Sequence, residues 1–208
     1  MTAEQSPFCE KSGLGRALTG SPGDVRPLTI DVTAEDSVAA AATVAAGAPL
    51  DVLVNTAGIA GTWTSALDTT PADFIPVFGV NLLGPVRVIR AFVPLMRAAD
   101  HPRIVNVSSG MGVADHHHGP RPHRVNADRA RVHTSSKTVL NMVTSQYAKA
   151  LPRFSVNVVD PGYTATDLND HRGYKSVAEG ARVVVQFALG EPAGVSGAFW
   201  DDQGPVPW

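Results

Sequence analysis

The 208-residue chain has one cysteine, Cys9, three tyrosines and only 6% aromatic residues. A single cysteine excludes an internal disulfide, and a reducing, cytoplasmic setting is the simpler expectation. Charge is sparse as well: 17% of residues carry it and the formal net charge is -2. That speaks against a nucleic-acid partner, and no block of like charge forms a binding tail. The opening residues "MTAEQSPFCEKSG" have no apolar core and no cleavage pattern, so a signal peptide is not expected. No uncharged apolar run reaches the length of a membrane span, and no membrane partner is expected.

What is present is a globular composition, 44% hydrophobic, of a size suited to one domain over residues 1–208. Residues 1–24 read as irregular. "VRPLTIDV" (25–32) reads as a short strand, followed by an alanine-rich helix capped by Thr33 or Asp36. "PLDVLVNTAG" (49–58) reads as a buried strand, and the order strand, helix, strand suggests a parallel unit. A mainly helical stretch follows over 71–98. Thr70 caps it, and Pro76, Gly79, Gly84, Pro85 and Pro94 bend or split it. "RIVNVSS" (103–109), "FSVNVVDPG" (154–162) and "SGAFW" (196–200) read as further strands. Helices are expected over about 134–150 and 176–189, the second opened by a Ser176–Glu179 capping box. The tail "DDQGPVPW" is left without structure.

These elements define an α/β, Rossmann-like three-layer sandwich whose mostly parallel sheet has about five to six strands. Ligands of such sheets bind beyond the carboxyl ends of the strands. Asp31, Asn55, Ser108, Ser109 and Asp160 are the polar residues expected along that rim.

Residues 110–131, "GMGVADHHHGPRPHRVNADRAR", form a long polar insertion without periodicity. Six of the seven histidines lie between 101 and 133. Neighbouring loop side chains rarely converge on one ion, and no Cys or Glu is close in sequence, so no metal site is expected.

Several motifs, in order, resemble the short-chain dehydrogenase/reductase family, most closely its carbonyl-reductase-like bacterial members. "LTIDVT" resembles the strand-end Asp near the adenine. "VLVNTAG" resembles the Asn-Asn-Ala-Gly motif with Thr56 replacing the second Asn. "VNLLGPVRV", "IVNVSS" and "SSKTVLN" supply the family's Asn, Ser and Lys as Asn81, Ser109 and Lys137. "DPGYTATDL" resembles the loop that closes over the nicotinamide.

The resemblance implies reduction of a ketone or aldehyde with NADPH or NADH, or the reverse oxidation, on a small-molecule substrate. It implies catalytic roles for Ser109, His133, Lys137 and Asn81. It implies nucleotide contacts from Gly13, Gly15, Asp31, Val32, Asn55, Ala57, Gly58, Lys137, Pro161, Gly162 and Thr166. It further implies a homodimer or homotetramer formed through the helices near 71–98 and 134–150.

Two departures set this chain apart. His133 occupies the position of the family's proton-donating Tyr, four residues before Lys137. A phenol with a pKa of ~10 needs a cation beside it to work near neutrality, whereas imidazole starts at ~6.5 and is disfavoured as a cation by Lys137. The family's first strand and glycine turn are also reduced to "FCEKSGLG", a remnant in which only Gly13 and Gly15 match. The sheet is therefore expected to be short of strands, with residues 25–32 paired directly beside 50–55. A second reading stays open on these grounds: a non-redox member that binds no dinucleotide, whether a pseudoenzyme, a partner subunit or a cofactor-independent acid–base enzyme.

Overall fold

The computed structural model describes residues 24–113, 131–190 and 192–208. Four short apolar runs become strands because each can be buried on both faces: β1 (Val52–Asn55), β2 (Arg103–Val107), β3 (Ser155–Val159) and β4 (Phe199–Asp201). They pair in chain order and all run parallel. β5 (Gly204–Val206) then folds back antiparallel on β4. The tail therefore has structure that its sequence conceals. Pro205 and Pro207 argue against a strand, but β5 lies at the sheet edge, where a missing N–H is tolerated.

Helices cover both faces of the sheet. α1 (Glu35–Ala45), α3 (Gly84–Met96) and α4 (Arg131–Ala150) pack on one side. There Ile89, Val93 and Met96 meet Ile104 and Val156, and Val38 and Ala41 meet Val88 and Phe92. α5 (Val177–Ala188) covers the other side, with Val183 and Phe187 packed on Val105 and Val159. The result is the expected three-layer, Rossmann-like arrangement.

α2 (Pro71–Phe78) begins at Thr70, whose N–H and hydroxyl both donate to Asp73 Oδ2, at 2.8 and 2.7 Å. It runs into a π-helical turn, Gly79–Leu83, and then into α3. The glycines and prolines of this stretch do not break the helix. They widen it by one turn. By length and composition alone the run Pro71–Met96 is long and apolar enough to cross a bilayer. Arg87 and Arg90, however, pair with Glu35 of α1, and its apolar side packs on β1 and α1, as in a core helix.

Residues 25–32 do not form a strand and do not pair with 50–55. β1 pairs only with β2, so its outer edge is free among the described residues. Val25, Leu28 and Ile30 are exposed. Alternation alone cannot make a strand, because the ladder needs a neighbour, and Pro27 removes one donor. α1 is capped by neither Thr33 nor Asp36. Its N-cap is Ala34, without a side-chain bond, and Ser37 Oγ instead accepts the N–H of Asp31 at 2.8 Å. Gly13, Gly15 and most of the expected irregular start lie outside the described residues, as does the insertion apart from 110–113 and Arg131.

Candidate active site

The parallel strands end together, and the polar residues just past them converge. Asn55 and Asn106 are register partners at the ends of β1 and β2, on the face turned to α4. Asn55 Nδ2 donates to Asn106 Oδ1 at 2.8 Å, and Asn106 Nδ2 donates to Thr144 Oγ1 at 2.9 Å. Thr144 Oγ1 in turn donates to Leu140 O at 2.7 Å. This ladder fixes α4 over the sheet. Asn55 thus serves as a strut in this structure, whatever else it contacts.

β2 continues into Ser108 and Ser109, which point to different tasks. Ser108 is buried and donates to Asn141 Oδ1 at 2.5 Å, a bond internal to the fold. Ser109 caps the short 3₁₀ turn Gly110–Gly112, and its Oγ accepts the N–H of Met111 at 3.2 Å. Its hydroxyl hydrogen is left to donate. Ser109 thus keeps a hydroxyl hydrogen for a further acceptor, whereas Ser108 spends its own inside the fold.

α4 begins at Arg131, three residues earlier than its sequence suggests, so His133 lies within the helix. His133 and Lys137 then share one helical face. Lys137 is 5% exposed, and its Nζ donates to Val107 O at 2.8 Å. Burial pulls its pKa down to about 8, a shift that nearby Asp160 partly opposes. His133 is pushed down to about 4, first by burial and then by the ammonium of Lys137. At neutral pH it is therefore an uncharged imidazole, with one N–H to donate and one nitrogen to accept.

Asn81 sits in the π-helical turn, a device often found at functional sites. It is wholly buried. Its Oδ1 accepts the N–H of Ile59 at 2.8 Å, and its Nδ2 donates to Ile59 O and to Ser136 Oγ, each at 3.0 Å. Ser136 Oγ passes the chain to His133 O at 2.6 Å. Asn81 therefore ties the loop after β1 to the first turn of α4 and acts by positioning both.

That loop carries Ala57 and Gly58. A Cβ on Gly58 would stand 3.6 Å from Asn81 Oδ1 and 3.8 Å from Lys137 Nζ, ordinary contact distances, so Gly58 lies directly beside both side chains. Among the described residues Lys137 Nζ has Val107 O as its one hydrogen-bond partner, which leaves two N–H groups free. A buried ammonium with two donors unused among the described residues can bond further oxygen acceptors.

β3 ends in Asp160, Pro161 and Gly162. Asp160 Oδ1 accepts the N–H of Gly162 at 2.8 Å, and burial holds its carboxyl above the usual carboxylate range although Gly162 and Gly110 N–H groups favour the charged form. Thr166 caps the 3₁₀ turn Asp167–Asn169 in the loop beyond. Asp31 lies in a turn where its Oδ1 accepts the N–H and hydroxyl of Thr33 at 2.8 and 2.7 Å. Val32 packs against α3 at Gly84, where a Cβ would come within 2.9 Å of it. Of the tyrosines, Tyr147 packs against the core, and Tyr163 and Tyr174 pair over the loop with ring centres 6.3 Å apart. Among the described residues no group of His, Cys, Asp or Glu forms a metal cluster.

Ser109 follows β2 at the carboxyl rim of the Rossmann-like sheet, and α4 brings Lys137 to the same strand end with His133 one turn before it. The short chain dehydrogenase profile matches residues 14–176. A short-chain dehydrogenase of Penicillium roqueforti is 32% identical over 185 residues, which cover 85% of this chain and 73% of that protein. The (+)-neomenthol dehydrogenase of Arabidopsis thaliana is 31% identical over 189 residues, covering 67% of this chain and 64% of its own. The C-signal protein of Myxococcus xanthus is 34% identical over 164 residues, covering 77% and 93%. Among solved structures, the NADPH-bound carbonyl reductase from chicken fatty liver shares the fold, with a TM-score of 0.79 over all of this chain and 85% of that one, at 22% identity. The chain belongs to the short-chain dehydrogenase/reductase family, whose members use NAD(P).

The ladder's links through Asn106 and Thr144 carry little signal in the sequence. Their one signal is asparagine inside an otherwise apolar strand, "RIVNV".

Proposed function

We propose that this protein reduces a ketone or aldehyde with NADPH or NADH, or oxidises the corresponding alcohol. The observation that carries this reading is Lys137 on α4, whose buried ammonium donates to Val107 O at the end of β2 and lies beside Gly58. Its two remaining donors suit a ribose. The nicotinamide, when bound, supplies the hydride. Pro161, Gly162 and Thr166 border the same rim, and Asp31 and Val32 are assigned to the adenine end. The (+)-neomenthol dehydrogenase among the relatives supports alcohol–carbonyl chemistry.

A carbonyl oxygen that gains charge needs donors already aimed at it. Ser109 Oγ–H and a ring N–H of His133 fill that role. His133 acts as an uncharged donor, since an imidazole that titrates at about 4 is almost never protonated at neutral pH. Lys137, titrating at about 8, holds a proton at neutral pH and can release it, so it is the local proton reserve. Asn81 keeps the glycine loop and α4 in place. Ile75 on α2, Leu83 in the π turn, and Val139 and Met142 on α4 are exposed, which supports a homo-oligomer joined through these helices.

Calorimetric titration with NADPH and with NADH, followed by turnover on a panel of aldehydes and ketones, tests the proposal. Saturable binding of one nucleotide and its carbonyl-dependent oxidation are expected. If neither nucleotide binds, the reading is wrong.

A further inference from the structure

Lys175 precedes the Ser176 cap of α5. Its side chain is 13% exposed. Nζ donates to Pro161 O at 3.3 Å and to Asp202 Oδ2 at 2.8 Å. The backbone of the same residue grips the neighbouring stretch. Its N–H donates to Tyr163 O at 3.1 Å, and its carbonyl accepts from Ala165 N at 2.9 Å. One residue thus holds Pro161, Tyr163 and Ala165.

Gly162 lies against this ammonium. Its φ is +74°, a conformation that favours glycine, and a Cβ there would come 2.6 Å from Lys175 Nζ and push the lysine side chain aside. On the other flank, Asp160 Oδ1 accepts the N–H of Gly162. The Pro161–Gly162 turn is therefore held from two sides.

Asp202 belongs to a different part of the fold, the turn between β4 and β5. That hairpin is anchored in the core, where Phe199 and Val206 cluster with Val113 and Val158. Trp208 adds a ring contact to Phe199 at 6.1 Å. The carboxylate of Asp202 is consequently a fixed point. An ion pair at a surface contributes little by itself. Here the pair also satisfies the Pro161 carbonyl and fills the space over Gly162, so its effect is on placement.

We propose that Lys175, braced by Asp202, is a positioning residue that sets the Pro161–Gly162 turn against the bound nicotinamide nucleotide and makes the C-terminal hairpin part of the binding site. This inference rests on the nucleotide-binding function proposed above.

The test uses the full chain with Lys175→Met, which keeps the stem and removes the ammonium, with Asp202→Asn, and with both together. Three quantities are measured: Kd for NADPH and NADH, kcat and nucleotide KM, and hydrogen exchange at the amides of 162–165 without nucleotide. Lys175→Met is expected to weaken nucleotide binding about tenfold and raise KM alike, with kcat changed less than about twofold. Exchange at 162–165 quickens. Asp202→Asn shifts the same readouts less, and the double variant is no worse than Lys175→Met, as coupled residues require. A merely structural lysine would lower thermal stability and leave Kd and the KM–kcat split alone. If the native protein binds nucleotide and Lys175→Met binds it equally well, this proposal fails and the nucleotide reading stands. If the native protein binds neither nucleotide, both fail together. Should Lys175→Met not fold, Asp202→Asn carries the test, and unchanged Kd and exchange there overturn the proposal.

Discussion

The ammonium of Lys137, one turn beyond His133 on α4, adds to burial in keeping that imidazole uncharged, and the ring's pKa falls to about 4. Lys137 itself titrates at about 8. The rate of carbonyl reduction, as kcat/KM, should therefore be flat between about pH 5 and 7 and decline above about pH 8 as Lys137 loses its proton. A pH–rate profile checks this. An acidic limb centred near 6.5 would show that His133 titrates as if in water and that its placement here is wrong.

The same shift links folding to pH. His133 titrates near 6.5 when unperturbed and at about 4 in the folded chain, so the unfolded chain binds more protons between those values. Stability should be complete above about pH 6.5 and fall by roughly 3 kcal/mol as pH drops through that window, from His133 alone. Urea unfolding at several pH values should show this slope, and His133→Ala should remove its share of it.

As a participant in turnover, His133 has a direct test. His133→Ala should lower kcat about 100-fold, the usual scale for losing one preorganised donor to a developing oxyanion. His133→Tyr restores the family's phenol beside Lys137 and should exceed the native rate. Steady-state kinetics on one aldehyde suffices, and an unchanged rate in His133→Ala removes the ring from the mechanism.

Asn106 joins Asn55 to Thr144 across the sheet–helix boundary. Asn106→Leu keeps the volume but strands a donor on Asn55 and an acceptor on Thr144. Each unpaired buried group costs about 1–3 kcal/mol, so a loss of roughly 2–5 kcal/mol is expected in chemical denaturation. A loss under about 1 kcal/mol would mean that the ladder does not hold α4 in place.

Gly173 lies where the loop 163–175 folds back on itself. A Cβ there would fall 2.2 Å from both Ala165 N and Thr164 C, backbone atoms that cannot step aside. Gly173→Ala should displace the loop, raise nucleotide KM several-fold and cost about 1–3 kcal/mol. Wild-type kinetics in this variant would refute the close approach.

Much of the fold can be read directly from residue patterns. "VLVN", "RIVNV" and "SVNVV" are apolar runs too short for helices, and they become β1, β2 and β3. Ser176 and Glu179 form the expected box, with Glu179 Oε2 2.8 Å from the Ser176 N–H. The four-residue spacing of His133 and Lys137 placed both on one face once the helix reached back to Arg131. Local pattern was misleading where a distant partner decides. "VRPLTIDV" alternates like a strand but stays unpaired among the described residues although β1 has a free edge, and β5 forms from a proline-rich tail because β4 offers its edge. The partners of Asn55, Asn106 and Lys175 lie 51, 38 and 27 residues away, beyond any short-range signal.

The π turn at Gly79–Leu83 carries a lesson for anyone who trims this helix. A π turn holds one residue more than the α-helical ladder requires, so deleting a single residue there need not break the rod. It would restore ordinary winding and leave the side chains of α3 on their present face, so the change would fall on the turn itself. The Asn81 carboxamide would then swing away from Ile59 and Ser136, and a protein that still folds would have lost the brace between its glycine loop and its lysine.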